Sequence, residues 1–285
     1  MKLIADSGST KTDWRLLTED GDQLQFKSEG INPFFHDADS VAETLEKISF
    51  EPYGHEDISE VDFYSAGVSN SQNRIIMEQG FAKVFTKAKL NIMHDLLGAA
   101  RALFFREDGP EESGIACILG TGSNSCLYRD GEIKTVLGGH GYILGDEGSG
   151  MHIGRKVVRD FMSDLMPPEV KDLFDDAFGL TKDEVSFAVY KKTFPNRYLA
   201  SFSVFVQKNI EHPYFAALVD DAFMKYFERY IIQYPDYLNL SVRVLGSVGF
   251  HFEPQMRKRA EMYGLNIDRI IKAPIDGLIA YHRAQ

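Results

Sequence analysis

The feature that most constrains this chain is a short turn of glycine and hydroxyl residues between two strands, because the same arrangement occurs twice. The first copy, Asp6–Thr12, separates two runs that predict antiparallel strands, and Asp20-Gly21 marks a hairpin turn to a third strand. The chain therefore opens as a three-stranded meander, with strands predicted at Lys2–Ala5, Asp13–Thr18 and Gln23–Lys27.

The second copy lies about 110 residues later and follows the same order. The turn Gly120–Ser123 separates two strands, and Asp130-Gly131 leads into a third. These strands are predicted at Ile115–Leu119, Asn124–Tyr128 and Glu132–Leu137. A repeat of this length exceeds the roughly 20 to 50 residues of a solenoid unit. It predicts two duplicated domains that face each other.

Strands and helices alternate after each meander, which predicts an α/β fold with parallel strands added to each meander. One predicted strand, Leu90–His94, runs directly into Asp95, which we interpret as the N-cap of a helix at Leu96–Phe105. A long helix at Gly148–Leu165 is ended by Pro167-Pro168. The predicted domains are residues 1–112, joined by a C-terminal helix at 274–285, and residues 113–273.

Composition excludes several classes of function. The chain has 285 residues and a formal net charge of -11, so it lacks the basic surface that a nucleic-acid partner requires. Its two cysteines, Cys117 and Cys126, fall in strand-like runs and predict buried, reduced thiols. An early acidic residue, Asp6, argues against a signal peptide, and no apolar run could span a membrane. We expect a cytoplasmic protein without a membrane partner.

A third glycine turn, Gly246–Gly249, follows a predicted strand at Val242–Leu245. Such turns leave backbone N–H groups free and allow close approach of a phosphate. One turn alone is most often an ordinary hairpin, but three turns that each follow a strand favour a nucleotide. Neither the Walker P-loop nor the dinucleotide fingerprint fits these segments.

Taken together, these segments resemble the N-acetylglucosamine kinases and the related ATPases of the benzoyl-CoA reductase type, within the actin-like superfamily. The resemblance rests on Asp6–Thr12, Leu119–Asn124, Gly138–Ser149 and Leu245–Gly249, which occur in family order along the chain. It implies two duplicated actin-like (ribonuclease H-like) domains, with a nucleotide and sugar cleft between them. The most specific match, Gly138–Ser149, points to the sugar-kinase branch.

The resemblance implies that the chain uses ATP and Mg²⁺ to phosphorylate an amino sugar, most simply N-acetylglucosamine to its 6-phosphate. Asp6 would hold Mg²⁺ through water, although a turn cap is an alternative role for it. The nucleotide is expected on the side of residues 113–273, and the sugar and Mg²⁺ on the side of residues 1–112. The residues matching ATP contacts are Ser9, Thr10, Lys11, Gly120, Thr121, Gly122, Ser123, Ala200, Gly246, Ser247 and Gly249.

In the family, the residue matching Asp95 takes the proton from the attacking sugar hydroxyl, a role compatible with capping a helix. Asp146 matches a sugar-contacting carboxylate, with a helix cap near Gly148 as its alternative role. The residues matching sugar contacts are Asn32, Ser65, Gly67, Asp95, Gly139, His140, Gly141 and Asp146. His140 stands where the animal-type enzymes carry a bulkier aromatic residue. Sugar kinases of this type are often dimers, so a homodimer is a further expectation.

Two other functions remain open at this stage. An ATP-driven activator of an iron–sulfur dehydratase would need cysteines that bridge a cluster, and only Cys117 and Cys126 are present. A non-catalytic ATP-binding regulator would bind the nucleotide without sugar-dependent turnover. The sequence does not choose among N-acetylglucosamine, N-acetylmuramic acid, glucosamine and N-acetylmannosamine.

Overall fold

A computed structural model describes residues 1–8 and 11–285 of the chain, which divides into two compact units. Unit 1 comprises Met1–Glu112 together with Pro274–Gln285, and unit 2 comprises Ser113–Ala273. Each unit has its own five-stranded sheet and its own apolar core. Two predicted nucleotide contacts, Ser9 and Thr10, lie outside the described residues.

Strands and helices alternate along most of the described chain. The strands are β1 (Lys2–Ser7), β2 (Lys11–Leu17), β3 (Gln23–Glu29), β4 (Glu60–Ser65), β5 (Lys89–His94), β6 (Gly114–Leu119), β7 (Ser123–Arg129), β8 (Glu132–Gly138), β9 (Ser241–Leu245) and β10 (Asn266–Ile271). The α-helices are α1 (Ala38–Glu46), α2 (Ser71–Val84), α3 (Asp95–Phe104), α4 (Gly141–Leu144), α5 (Gly150–Met162), α6 (Pro168–Phe178), α7 (Lys182–Tyr190), α8 (Pro195–Lys208), α9 (Pro213–Arg229), α10 (Ser247–His251), α11 (Glu253–Glu261) and α12 (Ile275–Arg283). Short 3₁₀ turns occur at His55–Asp57, Ile231–Gln233 and Tyr237–Asn239. In the described part of the chain, no helix is both long enough and apolar enough to cross a membrane.

The two sheets have the same topology. Their strand orders are β3-β2-β1-β4-β5 in unit 1 and β8-β7-β6-β9-β10 in unit 2. In each sheet the first three strands form an antiparallel meander, and the last two add to it in parallel. The structure confirms the α/β fold with duplicated meanders that the repeat predicts.

The parallel part of the unit 1 sheet brings three chain segments to one edge. Ser7, Ser65 and His94 are register partners at the carboxyl ends of β1, β4 and β5. The segments that follow these strands therefore leave the sheet side by side. In open α/β sheets, ligands bind beyond this edge.

The same geometry in unit 2 places two glycine turns next to each other. β6 and β9 are parallel neighbours in which Ile118 pairs with Leu245, so the turns after them begin together. Gly246 has a φ of +123°, and a Cβ there would lie 2.3 Å from the Leu119 carbonyl oxygen. Only glycine allows this close approach of the two turns.

Each core is rich in aromatic side chains. In unit 1, Trp14 is fully buried against Phe50, Phe63 and Phe81. In unit 2, helices pack over one face of the sheet around a large apolar cluster. That unit also contains both cysteines, which are buried and form no disulfide, as predicted. Burial raises the pKa of the Cys117 thiol to about 12, so this thiol stays protonated and unreactive at neutral pH.

The contact between α5 and α8 depends on Gly154. A Cβ at this position would lie 1.8 Å from the backbone oxygen of Leu199, which cannot move without shifting α8. We expect Gly154→Ala to destabilise unit 2 by about 1–3 kcal/mol or more and to lower Tm by roughly 3–10 °C in a thermal melt. Gly109→Ala is the control, because a Cβ at Gly109 would have only Arg106 Nε within 4 Å, at an ordinary contact distance of 3.9 Å. An unchanged Tm for Gly154→Ala would contradict the described packing.

Some predicted element boundaries are wrong. Pro168 does not simply end a helix but begins α6, a helix that the sequence analysis did not predict, because proline is well tolerated in the first turn. Asp95 is the first residue of α3, and the N-cap is His94, whose side chain accepts from the N–H of Leu96. Strand β1 continues through Asp6 to Ser7 instead of ending before Asp6.

Candidate active site

The negative charges of Asp13 and Asp95 act on a third carboxylate, Asp6, at the carboxyl edge of the unit 1 sheet. Asp6 on β1 is the direct cross-strand partner of Asp13 on β2, and Asp95 follows β5. Burial is the main reason why the pKa of Asp6 is raised to about 7, and the negative charges of Asp95 and Asp13 add to it. Lys11 opposes this shift only in part.

Asp6 and Asp13 suit a hard divalent cation, because carboxylate oxygens are the ligands that Mg²⁺ prefers. A cation would also relieve the repulsion between charges that face each other across a strand pair. Within residues 1–8 and 11–285, no group of three or more His, Cys, Asp or Glu side chains is arranged to hold a metal ion directly. These donors therefore fit an ion that keeps several waters, as Mg²⁺ usually does.

A tightly anchored loop presents Asn32 at the same edge. The Ile31 carbonyl accepts from the hydroxyls of Ser7 (3.1 Å) and Ser65 (2.9 Å), and the Ile31 N–H donates to Ser7 Oγ. Asn32 is 5% exposed, and its Oδ1 accepts from the N–H of Phe34 at 2.9 Å. In the described part of the chain, Asn32 Nδ2 has no hydrogen-bond partner, so this donor is available to a ligand.

Ser65 and Gly67 have different roles in this arrangement. The Ser65 side chain is fully buried, and its hydroxyl donates to the Ile31 carbonyl, so it helps to hold the loop that presents Asn32. The predicted contact of Ser65 with a sugar stays a prediction. Gly67 has a φ of +91°, and a Cβ there would lie 2.5 Å from Asn32 Oδ1. Gly67 therefore allows the strand end to approach the Asn32 side chain closely.

Asp95 is in the first turn of α3, where the helix dipole favours a negative charge. Its side chain is 24% exposed, and Oδ1 lies 3.0 Å from Nδ1 of His94. The carboxylate is thus reachable from solvent and lies next to the His94 ring. Asp6, Asn32, Gly67 and Asp95 all lie at or directly beyond the carboxyl edge of one sheet.

In unit 2, the first turn of α5 anchors the turn Gly120–Ser123. The N–H groups of Gly150 and Met151 donate to the carbonyls of Gly120 (2.8 Å) and Thr121 (3.1 Å). These bonds occupy helix N–H groups that would otherwise be free. In the part of the chain that the structure describes, the N–H groups of Thr121 and Gly122 have no hydrogen-bond partner. The turn therefore presents two free donors on a fixed backbone.

Asp146 and Ser123 hold this turn from the other side. Asp146 is 8% exposed and has a φ of +59°, and its Oδ1 accepts from the N–H of Ser123 at 3.0 Å. The Ser123 hydroxyl donates to the Glu147 carbonyl at 2.7 Å. The N–H and the hydroxyl of Ser123 thus both donate to groups within unit 2. These bonds argue against the phosphate contact predicted for Ser123. The cap of α5 is Ser149, so Asp146 is not the helix cap that the sequence left open.

The other predicted residues of unit 2 surround these turns to different degrees. Gly246 contacts the Leu119–Gly120 backbone, and Ser247 and Gly249 lie in the short helix α10 that follows. The Gly139 N–H donates to the Ser123 carbonyl at 3.3 Å, and His140 and Gly141 are exposed beside it. Ala200 packs on the core, and its carbonyl accepts from Ser203, which lies against Gly150.

Sequence reasoning missed two acidic residues at these edges. Asp13 could have been found, because it begins the predicted strand that pairs antiparallel with the strand leading to Asp6, and the two residues are register partners. Glu147 is buried, accepts from the hydroxyl of Tyr230 and lies 3.3 Å from Arg229. Tyr230 follows Glu147 by 83 residues, a separation that no local pattern reveals.

Comparisons with known proteins show which proteins this chain resembles. No family model matches the chain. It is 29% identical over 162 residues to an N-acetylmuramic acid/N-acetylglucosamine kinase of Clostridium acetobutylicum, a match that covers 54% of this chain. The matched part spans about half (51%) of the length of that curated relative.

Solved structures match over nearly the full chain. A proposed N-acetylglucosamine kinase from Porphyromonas gingivalis has a TM-score of 0.91 and 36% identity, with 100% of this chain and 99% of that chain covered. A proposed N-acetylglucosamine kinase from Chromobacterium violaceum has a TM-score of 0.75 and 21% identity, with 98% of each chain covered. A glucokinase from Streptomyces griseus, solved with glucose and AMPPNP, has a TM-score of 0.56 and 12% identity, with 99% and 98% covered, and shares the fold. On the full-length match at 36% identity, the chain belongs to the N-acetylglucosamine kinase family.

Proposed function

We propose that this protein transfers the γ-phosphoryl group of ATP to the 6-hydroxyl of an amino sugar, with N-acetylglucosamine as the first candidate. The observation that carries this proposal is the grouping of Asp6, Asn32 and Asp95 at one edge of the unit 1 sheet. A regulator that only binds ATP needs neither a base nor an amide for sugar hydroxyls. The names of the relatives that match by sequence and structure support the same choice of substrate.

Unit 2 would bind the nucleotide. The free N–H groups of Thr121 and Gly122 suit phosphate oxygens, since backbone donors in a glycine turn hold anions without a net positive charge. Gly246, Ser247 and Gly249 would line the nucleotide beside Gly120, and Ala200 is proposed as a further contact. Lys11, an exposed cation after β1, would add to phosphate binding together with Ser9 and Thr10.

In unit 1, Asp95 would accept the proton of the 6-hydroxyl as the hydroxyl oxygen attacks the γ-phosphorus. The bond from the γ-phosphorus to the bridging oxygen of ATP would break, and ADP would leave. The first turn of α3 favours the ionised carboxylate, which is the form a base requires. Asn32 would orient a ring hydroxyl through Nδ2.

Four residues of unit 2 are also proposed as sugar contacts. Asp146, whose Oδ2 has no hydrogen-bond partner among the described residues, would accept from a sugar hydroxyl. Gly139, His140 and Gly141 would line the sugar.

Asp6 would hold Mg²⁺ through water, with Asp13 facing it across the hairpin. The bound ion would offset the negative charge of the phosphates during transfer. Because phosphoryl transfer needs little covalent chemistry, positioning and charge stabilisation are the main contributions expected of the protein.

A coupled ADP-release assay with Mg-ATP tests this proposal. The panel is N-acetylglucosamine, N-acetylmuramic acid, glucosamine, N-acetylmannosamine and glucose. We expect at least one amino sugar to stimulate ADP release well above the rate without sugar, and N-acetylglucosamine to give the highest kcat/KM. Binding of ATP without stimulation by any sugar would instead favour a regulator or an ATPase activator.

The glycine turns provide a separate prediction for the nucleotide. Gly246→Ala places a methyl group 2.3 Å from the Leu119 carbonyl oxygen and should separate the two turns. We expect ATP affinity, measured by calorimetry, to fall at least about 10-fold, which corresponds to about 1.4 kcal/mol. Gly179→Ala is the matched control, because Gly179 also has a positive φ (+56°), but a Cβ there would lie 3.9 Å from the Asp175 carbonyl oxygen, an ordinary contact distance. Equal ATP affinity in both variants would remove the turn at Gly246 from the proposed site.

A further inference from the structure

Tyr230 packs against the segment Gly138–Glu147 at two places. Its ring lies beside that of His140, with the ring centroids 6.2 Å apart and an interplanar angle of 50°. Its hydroxyl donates to the Glu147 carboxylate and would lie 3.2 Å from a Cβ at Gly145. Tyr230 directly follows α9 and is 5% exposed. One buried side chain therefore contacts this segment near its beginning and at its end.

The middle of the segment depends on such contacts. Residues 139–144 are all exposed, whereas residues 145–150 are buried. Gly139 and Gly141 have φ values of +69° and +77°, and glycine loses more conformational freedom on folding than any other residue. The Tyr142 carbonyl accepts from Arg155 at 3.0 Å. Contacts with the rest of unit 2 must therefore hold these exposed residues in one conformation.

The charge of Glu147 explains why the tyrosine hydroxyl matters. Glu147 is 8% exposed, and its carboxylate accepts from Tyr230 and lies 3.3 Å from Nε of Arg229. The Arg229 side chain is 62% exposed, so solvent screens this ion pair. A hydrogen bond to a buried carboxylate is among the stronger ones in proteins, and its loss leaves the charge with one donor fewer. Because Asp146 directly precedes Glu147, a shift of Glu147 would also disturb the backbone that presents Asp146.

We propose that Tyr230 is a positioning residue that holds the segment Gly138–Glu147 in the conformation that presents the four proposed sugar contacts of unit 2. This inference rests on the proposed function, in which those residues contact the sugar. Tyr230 itself would not touch the sugar. Since the proposed base, Asp95, belongs to unit 1, loss of the Tyr230 hydroxyl should weaken sugar binding more than it slows phosphoryl transfer.

A matched tyrosine lies at the other end of α9. Tyr214 is the second residue of this helix, and its hydroxyl also donates to a carboxylate, Asp160 Oδ2, at 2.8 Å. At 1.5 Å per residue, the length of α9 separates Tyr214 from Tyr230 by about 24 Å. Replacement of either tyrosine by phenylalanine keeps the ring and removes the hydroxyl that donates to a carboxylate.

The kinetic test compares Tyr230→Phe with Tyr214→Phe. We expect Tyr230→Phe to raise KM for the sugar by about 10-fold or more with kcat within about threefold, because the lost contacts support the ground state and the transition state alike. A smaller folded fraction would instead lower the apparent kcat and leave KM unchanged. Tyr214→Phe should keep the wild-type KM. An unchanged KM in Tyr230→Phe, with an active wild type, would overturn the inference and leave the proposed function intact.

Hydrogen–deuterium exchange tests the contact without relying on turnover. The N–H groups of Gly139 and Gly145 donate to carbonyls, so their exchange reports opening of the segment. In Tyr230→Phe, a peptide spanning residues 138–147 should exchange at least about threefold faster than in the wild type, and Tyr214→Phe should show the wild-type rate. Unchanged exchange in Tyr230→Phe would overturn the inference whatever the activity. If no sugar stimulates the wild type, the proposed function fails, while faster exchange would still support the contact of Tyr230 with the segment.

Discussion

Asp95→Asn is expected to lower kcat by about 100- to 10,000-fold, the usual contribution of a positioned general base. Asparagine has nearly the same shape, but its amide cannot accept the proton of the sugar hydroxyl. We expect ATP affinity to stay within about twofold, because the proposed phosphate donors, Thr121 and Gly122, belong to unit 2. The measurements are steady-state ADP release with saturating sugar and calorimetric titration with ATP.

A matched control separates loss of the base from loss of a helix-terminal charge. Asp183 also lies in the first turn of a helix, α7, but is exposed and distant in sequence from every proposed site residue. Asp183→Asn should therefore keep full activity. If Asp95→Asn retained more than about a tenth of the wild-type kcat, Asp95 would be a helix-terminal residue with no role as a base.

Asp6→Asn is expected to abolish sugar phosphorylation and, at the same time, to stabilise the metal-free protein at pH 8. The pKa of Asp6 is raised from 3.8 to about 7, mainly by burial and then by Asp95 and Asp13. Each unit of pKa corresponds to about 1.4 kcal/mol, so the charged side chain costs the metal-free fold on the order of 2–4 kcal/mol. Asparagine removes that charge.

The pH dependence of this gain follows from proton binding. Between about pH 4 and pH 7 the folded protein keeps the Asp6 proton while the unfolded chain releases it, so wild-type stability falls as pH rises through this range. Asparagine has no such dependence. The Tm difference between Asp6→Asn and wild type should thus be small near pH 4 and largest at pH 8, as measured by calorimetry with a chelator present.

Addition of Mg-ATP should reverse the order, because a ligand that binds the folded state stabilises it and the wild type would bind it more tightly. Asp108→Asn, a change in an exposed loop, serves as the control and should show no pH-dependent gain. If Asp6→Asn were no more stable than wild type at pH 8, the surroundings of Asp6 would not raise its pKa as described.

The fold was largely predictable because its main signals are local. Asp20-Gly21 and Asp130-Gly131 lie in hairpin turns. Apolar and polar residues alternate in the segments on either side of each turn, as they do in strands. The repeat then implied that both sheets have the same plan. Helix α6 was missed because Pro167-Pro168 looks like a helix end, and only the structure shows Pro168 in the first turn of a new helix.

The candidate site was less predictable than the fold, because hydrogen bonds over long sequence separations decide what each side chain does. Ser65 and Ser123 match family contact positions, yet both hydroxyls are committed to backbone carbonyls, at Ile31 and Glu147. The contact of His94 with Asp95 depends on the rotamers of adjacent side chains. No sequence pattern specifies those rotamers.

The most direct test of the central claim is the structure of the product. Purified protein is incubated with Mg-ATP and N-acetylglucosamine, and the sugar is recovered for phosphorus–proton correlated NMR and mass spectrometry. We predict a sugar monophosphate whose phosphorus couples to the two protons on C6, formed together with ADP. Recovery of unmodified sugar from this reaction, and from the same reaction with the other amino sugars, would contradict the assignment as an amino-sugar kinase.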